Sequence, residues 1–495
     1  MGYLNPKPFK PFDHDLFSPL QRIILWVLVF FAVSFFFLVL PTLYQRLTCP
    51  IQLQQADAIN VERAMILIRG ENLYPDPTKG GPYLYTAYPP LFFWLEAQLI
   101  MNLHSLWLPG RLLAFTGYIG CGLLLGFWAF ARWGKIWALL LPALLWTFPS
   151  WQRWGTVDRP DTLFIFLQFT AFLLLYRQVI DGASGGRDGM KLTLLAGLLE
   201  ACAVLIKQSS ISLLLANGVY CLFSKRWKNL FMFYAACLIP VGMVVVWESV
   251  VTGGLFSRHT FVWLNTGFKW DLLWYWLSND LIVEAGWLLA LLLIVLFSMG
   301  VPALLGWQML FGTLNLISLG RLTGAENYWL EFILMALFCV GECAGREKHS
   351  PRLPSQFGKW ARWAMVIGIA FILCSSIKGN KPEVPSASEV EAKMDAAKIY
   401  DMPGEHLALD TDLPLMAGKR IWIQPHEYSA MVKQGFWSVD PLIRDIRTKK
   451  YSTIEIYDLP VQYLLPQPIV DEIGKNYHVV LRRFGRLWLS PNKAQ

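Results

Sequence analysis

The sequence predicts an α-helical protein that crosses a membrane about eleven times and carries a small α/β domain at its C-terminal end. Of its 495 residues, 55% are hydrophobic and 16% are charged, whereas soluble globular proteins average about 25% charged residues. The apolar residues form runs of roughly bilayer length with few charges, such as 23–40, 192–206, 231–251 and 281–299. Lipid offers no partners to backbone polar groups, so these runs are expected to be helices.

The distribution of Lys and Arg in short loops sets the predicted orientation, because cytoplasmic loops are enriched in these residues. Lys7, Lys10 and Arg22 precede the first apolar run and place the N-terminus in the cytoplasm. The run 91–108 decides the rest of the topology. If it spanned the bilayer, several later basic loops would lie outside, against the rule.

The composition of 91–108 favours a helix that rests on the outer surface of the membrane. Pro89-Pro90 precedes it, polar residues interrupt it, and Trp94 and Trp107 suit the headgroup level. We therefore predict a juxtamembrane helix here. The predicted spans are 23–40, 112–131, 136–149, 162–179, 191–206, 209–223, 229–251, 281–299, 301–319, 329–345 and 361–378.

The chain is predicted to divide near residue 378. Residues 1–378 form a transmembrane domain whose long outer loop, 45–111, carries juxtamembrane helices, and residues 379–495 form a soluble extracytoplasmic domain. Alternation of short strand-like and helix-like pieces predicts an α/β fold for the second domain. The strand-like runs are 406–410, 420–424, 453–457, 478–482 and 486–489, and the helix-like pieces start near Glu427, Asp440 and Gln467.

The outer loop 45–111 contains the first candidate for chemistry. Residues 54–69 have the pattern of an amphipathic helix on the outer leaflet, with Asp57 near its start. A carboxylate there is placed to act as a general base on a hydroxyl beside the membrane. The alternative is that Asp57 serves only as a helix N-cap or as a solvated surface charge.

Charged residues at the ends of apolar spans form a second group of candidates. Asp161 and Glu331 each enter a span, where a charge is costly unless it is paired or functional. Arg159 and Asp161 either pair with each other, or the Arg holds a phosphate that the Asp orients. Lys207, between two spans, either extends to the headgroups or contributes to a site.

A third group lies in the later outer segments and contains Arg258, His259, Arg321, Asn327 and Tyr328. His259 is expected to be a surface or hydrogen-bonded residue rather than a metal ligand, because no His-x-x-x-His or acidic triplet lies near it. A divalent metal ion remains a candidate cofactor because the first loop contains carboxylates, but the sequence does not identify a set of ligands for it. Cations and scattered carboxylates on one side of the membrane fit an anionic lipid headgroup and an acid–base reaction.

The formal net charge of +8 suits a protein surrounded by anionic membrane lipids. No basic stripe interleaves with exposed aromatic residues, so nucleic acid is not a predicted partner.

Several segments together resemble the GT-C class of membrane glycosyltransferases, which includes protein O-mannosyltransferases and the lipid A aminoarabinose transferase. Gly70-Glu71-Asn72-Leu73-Tyr74 followed by Tyr88-Pro89-Pro90-Leu91 is similar to the first outer loop of that class. The resemblance covers almost the whole chain, and the other matching segments are Arg159-x-Asp161, Lys207-Gln208-Ser209, Gly324 with Asn327-Tyr328 and Glu331, and the tail segments Leu407-Ala408-Leu409-Asp410 and Ala417-Gly418-Lys419.

The resemblance implies a hexosyl or pentosyl transferase of the bacterial inner (plasma) membrane. Such an enzyme moves a sugar from a polyprenyl-phosphate donor to a glycan, lipid or protein acceptor on the outer face. The family's catalytic carboxylate lies in the first outer loop and carries over to Asp57. Many relatives have an acidic pair there, and Glu62 is the substitute candidate in this chain. Relatives of the aminoarabinose-transferase kind have a Lys where this chain has Tyr88.

With this resemblance, Asp57 is expected to remove the proton of the acceptor. The departing donor phosphate would be held by Arg159, Lys207, Arg258 and Arg321.

Two other classes of function remain open at this point. A flippase or transporter of lipid-linked sugars predicts charges near the middle of the bilayer, whereas the predicted spans keep most charges at their outer ends. Glu200 and Glu248 are not explained by that placement. A non-catalytic scaffold whose tail binds envelope partners is the third class.

Overall fold

The structure, a computed structural model, describes residues 17–181, 187–264, 267–299, 301–322, 324–346, 355–379, 382–458 and 464–492. The predicted cytoplasmic Lys7 and Lys10 lie outside the described residues. The helices before residue 379 are α1 (Pro19–Thr48), α2 (Gln55–Ile68), α3 (Leu91–Leu103), α4 (Leu108–Arg132), α5 (Lys135–Thr147), α6 (Pro149–Trp154), α7 (Asp161–Asp181), α8 (Arg187–Ile206), α9 (Ser212–Phe223), α10 (Trp227–Val251), α11 (Leu255–Ser257), α12 (Trp270–Tyr275), α13 (Ile282–Met299), α14 (Ala303–Leu314), α15 (Leu330–Arg346) and α16 (Ser355–Lys378).

Within the described ranges, eight helical segments are long and apolar enough to cross a membrane. They are Pro19–Thr48, Leu108–Arg132, Asp161–Ile180, Asp188–Ile206, Trp227–Val251, Trp270–Leu296, Ala303–Gly320 and Trp360–Lys378. The other three predicted spans correspond to α5, α9 and α15, which have 13, 12 and 17 residues. The predicted class, a helical protein with many membrane spans, is confirmed, and crossings beyond these eight stay a prediction.

The predicted juxtamembrane segment forms α3, which has 13 residues and ends before His104. At 1.5 Å per residue it measures about 20 Å, shorter than the roughly 30 Å of the hydrocarbon core. It packs against α2 on one side and α4 on the other. The predicted spans α5 and α9 are equally short, so length does not distinguish α3 from them, and its position along the membrane surface stays a prediction.

The start of α7 is held close to α4. A Cβ atom at Gly117 of α4 would lie 2.2 Å from the main-chain carbonyl carbon of Thr162, so only a glycine permits this approach. The hydroxyl of Thr162 donates to the carbonyl oxygen of Ala114 at 2.6 Å. These contacts fix the position of Asp161, the first residue of α7.

The C-terminal domain contains helices and one four-stranded sheet. Its elements are α17 (Ala387–Ala397), β1 (Glu405–Ala408), α18 (Asp412–Met416), α19 (Pro425–Lys433), α20 (Asp440–Arg447), β2 (Tyr451–Tyr457), α21 (Gln467–Asn476), β3 (Tyr477–Arg483) and β4 (Arg486–Pro491). The strand order is β1-β2-β4-β3, with β1 and β2 parallel and the other pairs antiparallel. The predicted α/β character of this domain is confirmed.

One predicted strand, 420–424, does not join this sheet. Its Ile423 instead forms a bridge with Tyr83 of the outer loop, where the N–H of Tyr83 donates to the carbonyl oxygen of Trp422 at 2.7 Å. The hydroxyl of Tyr83 also donates to Asp445 at 3.0 Å. The backbone groups of this segment therefore dock the C-terminal domain onto the loop between α2 and α3.

Candidate active site

Asp57 lies in the first turn of α2 and is fully buried. Its Oδ1 accepts the main-chain N–H of Asp158 at 3.2 Å, and its Oδ2 accepts the main-chain N–H of Leu53 at 3.0 Å. Arg111 of α4 places Nη2 at 3.3 Å from the same Oδ2. Gln54 is the N-cap residue of α2. Asp57 is therefore neither a helix cap nor a solvated charge.

Arg111 is a partner that sequence reasoning missed. Its guanidinium is fully buried and donates to the carbonyl oxygens of Cys49 and Ile51, each at 2.6 Å. A buried cation needs an opposite charge, and Asp57 supplies it. An Arg in the first turn of an apolar helix was the available signal, because such a charge requires a partner.

Arg159 follows Asp158 in the chain and is held by neutral groups. Its Nε donates to Gln54 Oε1 at 3.1 Å, and its Nη1 lies 3.5 Å from the hydroxyl oxygen of Tyr88. The guanidinium carbon lies 5.4 Å from the centre of the Trp154 ring. Arg159 forms no ion pair with a residue that the structure describes. A guanidinium held in this way can accept an oxyanion as a stronger partner.

Lys207, directly after α8, is buried against Asp161. Its Nζ lies 2.5 Å from Asp161 Oδ1, and the same oxygen accepts Nδ2 of Asn327 at 2.7 Å. The suggested pairing of Arg159 with Asp161 is thus replaced by a pairing with Lys207. The Lys207 Nζ also lies 5.6, 5.5 and 5.0 Å from the ring centres of Tyr88, Phe164 and Tyr328.

We call Tyr88, Arg159, Asp161, Lys207, Asn327 and Tyr328 the cationic cluster. Two neighbouring residues connect this cluster to Asp57. Asp158 donates its main-chain N–H to Asp57, and Arg159, a member of the cluster, donates to Gln54 at the start of α2. Burial raises the pKa of Tyr328, and the positive charge of Lys207 offsets part of that rise. Asp57 and the cationic cluster therefore form one continuous site.

A cavity of about 850 Å³ lies between this end of the bundle, the outer loop and the C-terminal domain. Leu53 and Gln54 line it, so it reaches the residues that cover Asp57 and hold Arg159. Its volume falls in the usual range for small-molecule sites, about 300–1,000 Å³. The other polar or aromatic wall residues include Arg46, Gln52, Arg153, Glu383, Glu389, Lys393, Phe484 and Arg486.

Glu62 does not join Asp57. Five residues along an α-helix turn a side chain by about 140°, and Glu62 accordingly faces the C-terminal domain. Its Oε1 lies 2.5 Å from Arg69 Nη2 and 3.8 Å from Arg420 Nε, and Arg420 also pairs with Glu71. Burial raises the pKa of Glu62. Its contacts are those of a residue that fastens the outer loop to the C-terminal domain.

His259 is fully buried in the turn after α11 and fastens that segment to the outer loop. Its Nδ1 accepts the N–H of Thr86 at 3.0 Å, and its Nε2 donates to the carbonyl oxygen of Pro75 at 2.9 Å. Its ring stacks on Tyr85 with 5.9 Å between centres. Burial lowers the pKa of His259 to about 3, so the ring is neutral. It is a hydrogen-bonded residue, one of the two roles that the sequence suggested.

Arg258 and Arg321 differ from the other predicted cations. Arg258 is exposed, and Arg321 is half-buried beside the backbone bridge that it forms with Phe268. Arg321 is close enough to Tyr328 to act on its pKa. Arg321 therefore borders the cationic cluster, whereas Arg258 forms no hydrogen bond or ion pair with the six residues of the cluster.

Glu331 belongs to a different polar group, deeper in the bundle. Its Oε1 accepts the amide groups of Gln168 at 2.8 Å and Gln308 at 2.9 Å, and also the hydroxyl of Ser212. Gln168 lies seven residues after Asp161 on α7, about 10 Å along the helix axis. The hydroxyl of Ser210 lies 2.7 Å from Gln168 Oε1 and 3.5 Å from Glu200 Oε1. We call Gln168, Glu200, Ser210, Ser212, Gln308 and Glu331 the interior cluster.

No group of three His, Cys, Asp or Glu side chains within the described ranges is arranged to hold a metal ion.

No family model matches the sequence, and a search of curated proteins finds no match. Solved structures do match. A structure of ArnT from Cupriavidus metallidurans bound to undecaprenyl phosphate aligns with a TM-score of 0.63 and 14% sequence identity, covering 93% of this chain and 98% of that chain. The chain has the GT-C fold.

Two further structures support this fold. ArnT from Cupriavidus metallidurans in the apo state aligns with a TM-score of 0.62 and 14% identity, covering 92% of this chain and 97% of that chain. An oligosaccharyltransferase from Archaeoglobus fulgidus, tethered to an acceptor peptide, aligns with a TM-score of 0.52 and 12% identity, covering 96% of this chain and 74% of that chain. The GT-C resemblance inferred from short motifs thus holds for the fold of almost the whole chain.

Proposed function

We propose that the chain is a GT-C glycosyltransferase that moves a hexosyl or pentosyl group from a polyprenyl-phosphate donor to an acceptor on the outer face of the membrane. The observation that carries this proposal is the position of Arg159. Its guanidinium is held by neutral side chains beside a large cavity, in a fold shared with an ArnT structure bound to undecaprenyl phosphate. The proposal includes a cytoplasmic N-terminus and an extracytoplasmic C-terminal domain.

The cationic cluster is suited to stabilise the leaving group. When the bond between the sugar and the phosphate breaks, negative charge develops on the polyprenyl phosphate, and fixed cations lower the energy of that state. Arg159 offers a planar donor group, and Lys207 offers a second charge that Asp161 keeps in place. Tyr88 supplies a hydroxyl but no charge where some relatives have a Lys, so Arg159 becomes the principal phosphate ligand.

Donor binding would also give Asp57 access to the acceptor. In the structure, the main-chain N–H of Leu53 donates to Asp57 Oδ2, and the side-chain oxygen of the neighbouring Gln54 accepts a hydrogen bond from Arg159. A phosphate that binds Arg159 takes the place of Gln54 and moves this short segment into the cavity. Asp57 Oδ2 then accepts the proton of an acceptor hydroxyl as that oxygen attacks the anomeric carbon and polyprenyl phosphate departs.

The proposal is tested with purified, reconstituted protein and a radiolabelled polyprenyl-phosphate sugar. Wild-type protein should release polyprenyl phosphate and label an acceptor from an envelope extract. Asp57→Asn should abolish transfer without lowering the thermal unfolding temperature by more than a few degrees. The matched control Asp440→Asn changes an exposed carboxylate of α20 and should retain activity.

Full activity of Asp57→Asn would remove the residue from the role of base. Movement of the labelled lipid across vesicles without release of polyprenyl phosphate would instead support a flippase.

A further inference from the structure

Two fully buried carboxyl groups, from Glu96 of α3 and Asp158 before α7, lie close enough to interact with each other and with the charge of Asp57. None of their four oxygens receives a hydrogen bond from an N–H or O–H group of the described residues. The two groups are in hydrogen-bonding contact with each other. Two carboxyl oxygens can form a hydrogen bond only when one of them carries a proton.

The main chain and the packing hold Asp158 in this position. Its N–H donates to Asp57 Oδ1 at 3.2 Å, and its carbonyl oxygen accepts Nδ2 of Asn60 at 2.6 Å. A Cβ atom at Gly110 would lie 2.1 Å from Asp158 Oδ1, so the carboxyl group rests directly on the backbone of α4. The backbone of α4 therefore closes one side of the Asp158 carboxyl group, while the N–H and the carbonyl oxygen of the same residue are held by Asp57 and Asn60.

The surrounding charges do not neutralise the pair. The groups that act on it are Asp57 and Arg63 of α2, Arg111 of α4, and Arg159. Each of these cations has other partners: Arg111 contacts Asp57, Arg63 contacts Asn60 and Gln424, and Arg159 contacts Gln54. Burial raises the pKa of both Glu96 and Asp158, and their mutual contact raises that of Glu96 further.

We propose that Glu96 and Asp158 share one proton and act together as positioning residues for the transfer reaction. While Glu96 donates that proton to Asp158, the pair carries a single negative charge and the Asp158 N–H stays on Asp57. When the proton is lost, two adjacent carboxylates repel each other and shift the N–H away from Asp57. This inference rests on the proposed function for its catalytic consequence, but the shared proton itself does not.

The decisive variant is Glu96→Gln. A Gln amide donates to the Asp158 carboxylate as a protonated Glu does, but it cannot lose that hydrogen bond at high pH. Wild-type transfer should fall on the alkaline side of its pH profile as the pair loses its proton. Glu96→Gln should retain neutral-pH activity and move this fall upward by at least about one pH unit, the shift that corresponds to about 1.4 kcal/mol.

Two further variants complete the activity measurement. Glu96→Leu leaves Asp158 without a donor and should lose at least about tenfold in activity, since a buried unpaired charge remains. Glu284→Gln changes another buried carboxyl group, one that Ser150 already supplies with two hydrogen bonds. It should retain the wild-type shape of the pH profile.

Infrared spectroscopy and unfolding test the shared proton without any transfer assay. The difference spectrum between the wild type and Glu96→Gln should show the loss of one C=O band of a protonated carboxylic acid, whereas other buried carboxyl groups contribute equally to both proteins. The folded pair has a higher pKa than unfolded carboxyls, which titrate near about 4. The folded protein therefore binds more protons above that pH, and its stability falls as pH rises through the pKa of the folded pair. Glu96→Gln should reduce this loss of stability, and Glu284→Gln measures how much another buried carboxyl group contributes to it.

The outcomes separate the two hypotheses. Loss of one infrared band and a smaller stability slope in Glu96→Gln, in a protein without transferase activity, support the shared proton and refute the proposed function. A pH–activity profile that Glu96→Gln leaves unchanged refutes the positioning role. An unchanged band and slope refute the shared proton.

Discussion

Asp161 and Glu331 are both acidic residues in the first turn of a helix that enters the bundle, yet their surroundings differ in kind. Asp161 shares one oxygen between the charged Lys207 and the amide of Asn327. Glu331 receives only neutral donors, the amides of Gln168, Gln308 and Asn315 and the hydroxyl of Ser212. Both carboxyl groups are costly to bury, but Asp161 is stabilised by an opposite charge and Glu331 by neutral hydrogen-bond donors.

The difference supports the proposal that the cationic cluster binds an anion, whereas the contacts of Glu331 only satisfy a buried carboxyl group. An ion pair beside Arg159 gives the cationic cluster positive groups whose partners a phosphate can share or replace. The interior cluster has carboxylates and neutral donors, so an anion would be repelled there. The cationic cluster also lies beside the cavity of about 850 Å³, because Gln54, which accepts a hydrogen bond from Arg159, lines that cavity.

The largest effect is expected for Asp161→Asn, which tests whether Asp161 depends on an opposite charge. The change leaves Lys207 buried without an opposite charge, and breaking a buried pair in this way usually costs about 3–5 kcal/mol. We expect that loss in the free energy of unfolding, measured by denaturant titration in detergent. The double variant with Lys207→Met removes both charges and should recover part of it. A loss below about 1 kcal/mol would show that the pair is not a buried ion pair.

A smaller effect is expected for Glu331→Gln, which tests whether Glu331 needs only neutral hydrogen-bond donors. The Gln retains an acceptor oxygen where the neutral donors converge, and its amide nitrogen takes the place of Oε2, which has no partner among the described residues. Replacing a carboxyl group whose hydrogen-bond partners are all neutral by an amide of the same shape should cost about 1 kcal/mol. The same denaturant titration measures it. A loss as large as that of Asp161→Asn would mean that Glu331 also depends on an opposite charge.

The sequence predicted the parts of this structure that depend on local composition. Apolar length predicted the spans, and the Lys and Arg of the loops predicted that Asp57, Arg159 and Lys207 meet at one end. Pairings over long separations were not predictable, because they depend on how helices approach. Arg111 contacts Asp57 from 54 residues away, and Lys207 contacts Asp161 from 46 residues away.

The predicted strand 420–424 shows the same limit. Its residues alternate as a strand does, and its backbone is extended, but nothing in the sequence specifies that it pairs with Tyr83 rather than with the sheet.

The central claim is that Arg159 holds the phosphate of a polyprenyl-phosphate lipid. Its most direct test is the dissociation constant of undecaprenyl phosphate from purified wild-type protein, Arg159→Ala and the control Arg447→Ala, whose Arg is exposed and paired with Glu472. Charge-assisted hydrogen bonds contribute about 1.5–3 kcal/mol, so Arg159→Ala should weaken binding by about 10- to 100-fold while the control stays within about twofold. Equal affinities of the wild type and Arg159→Ala would contradict the account.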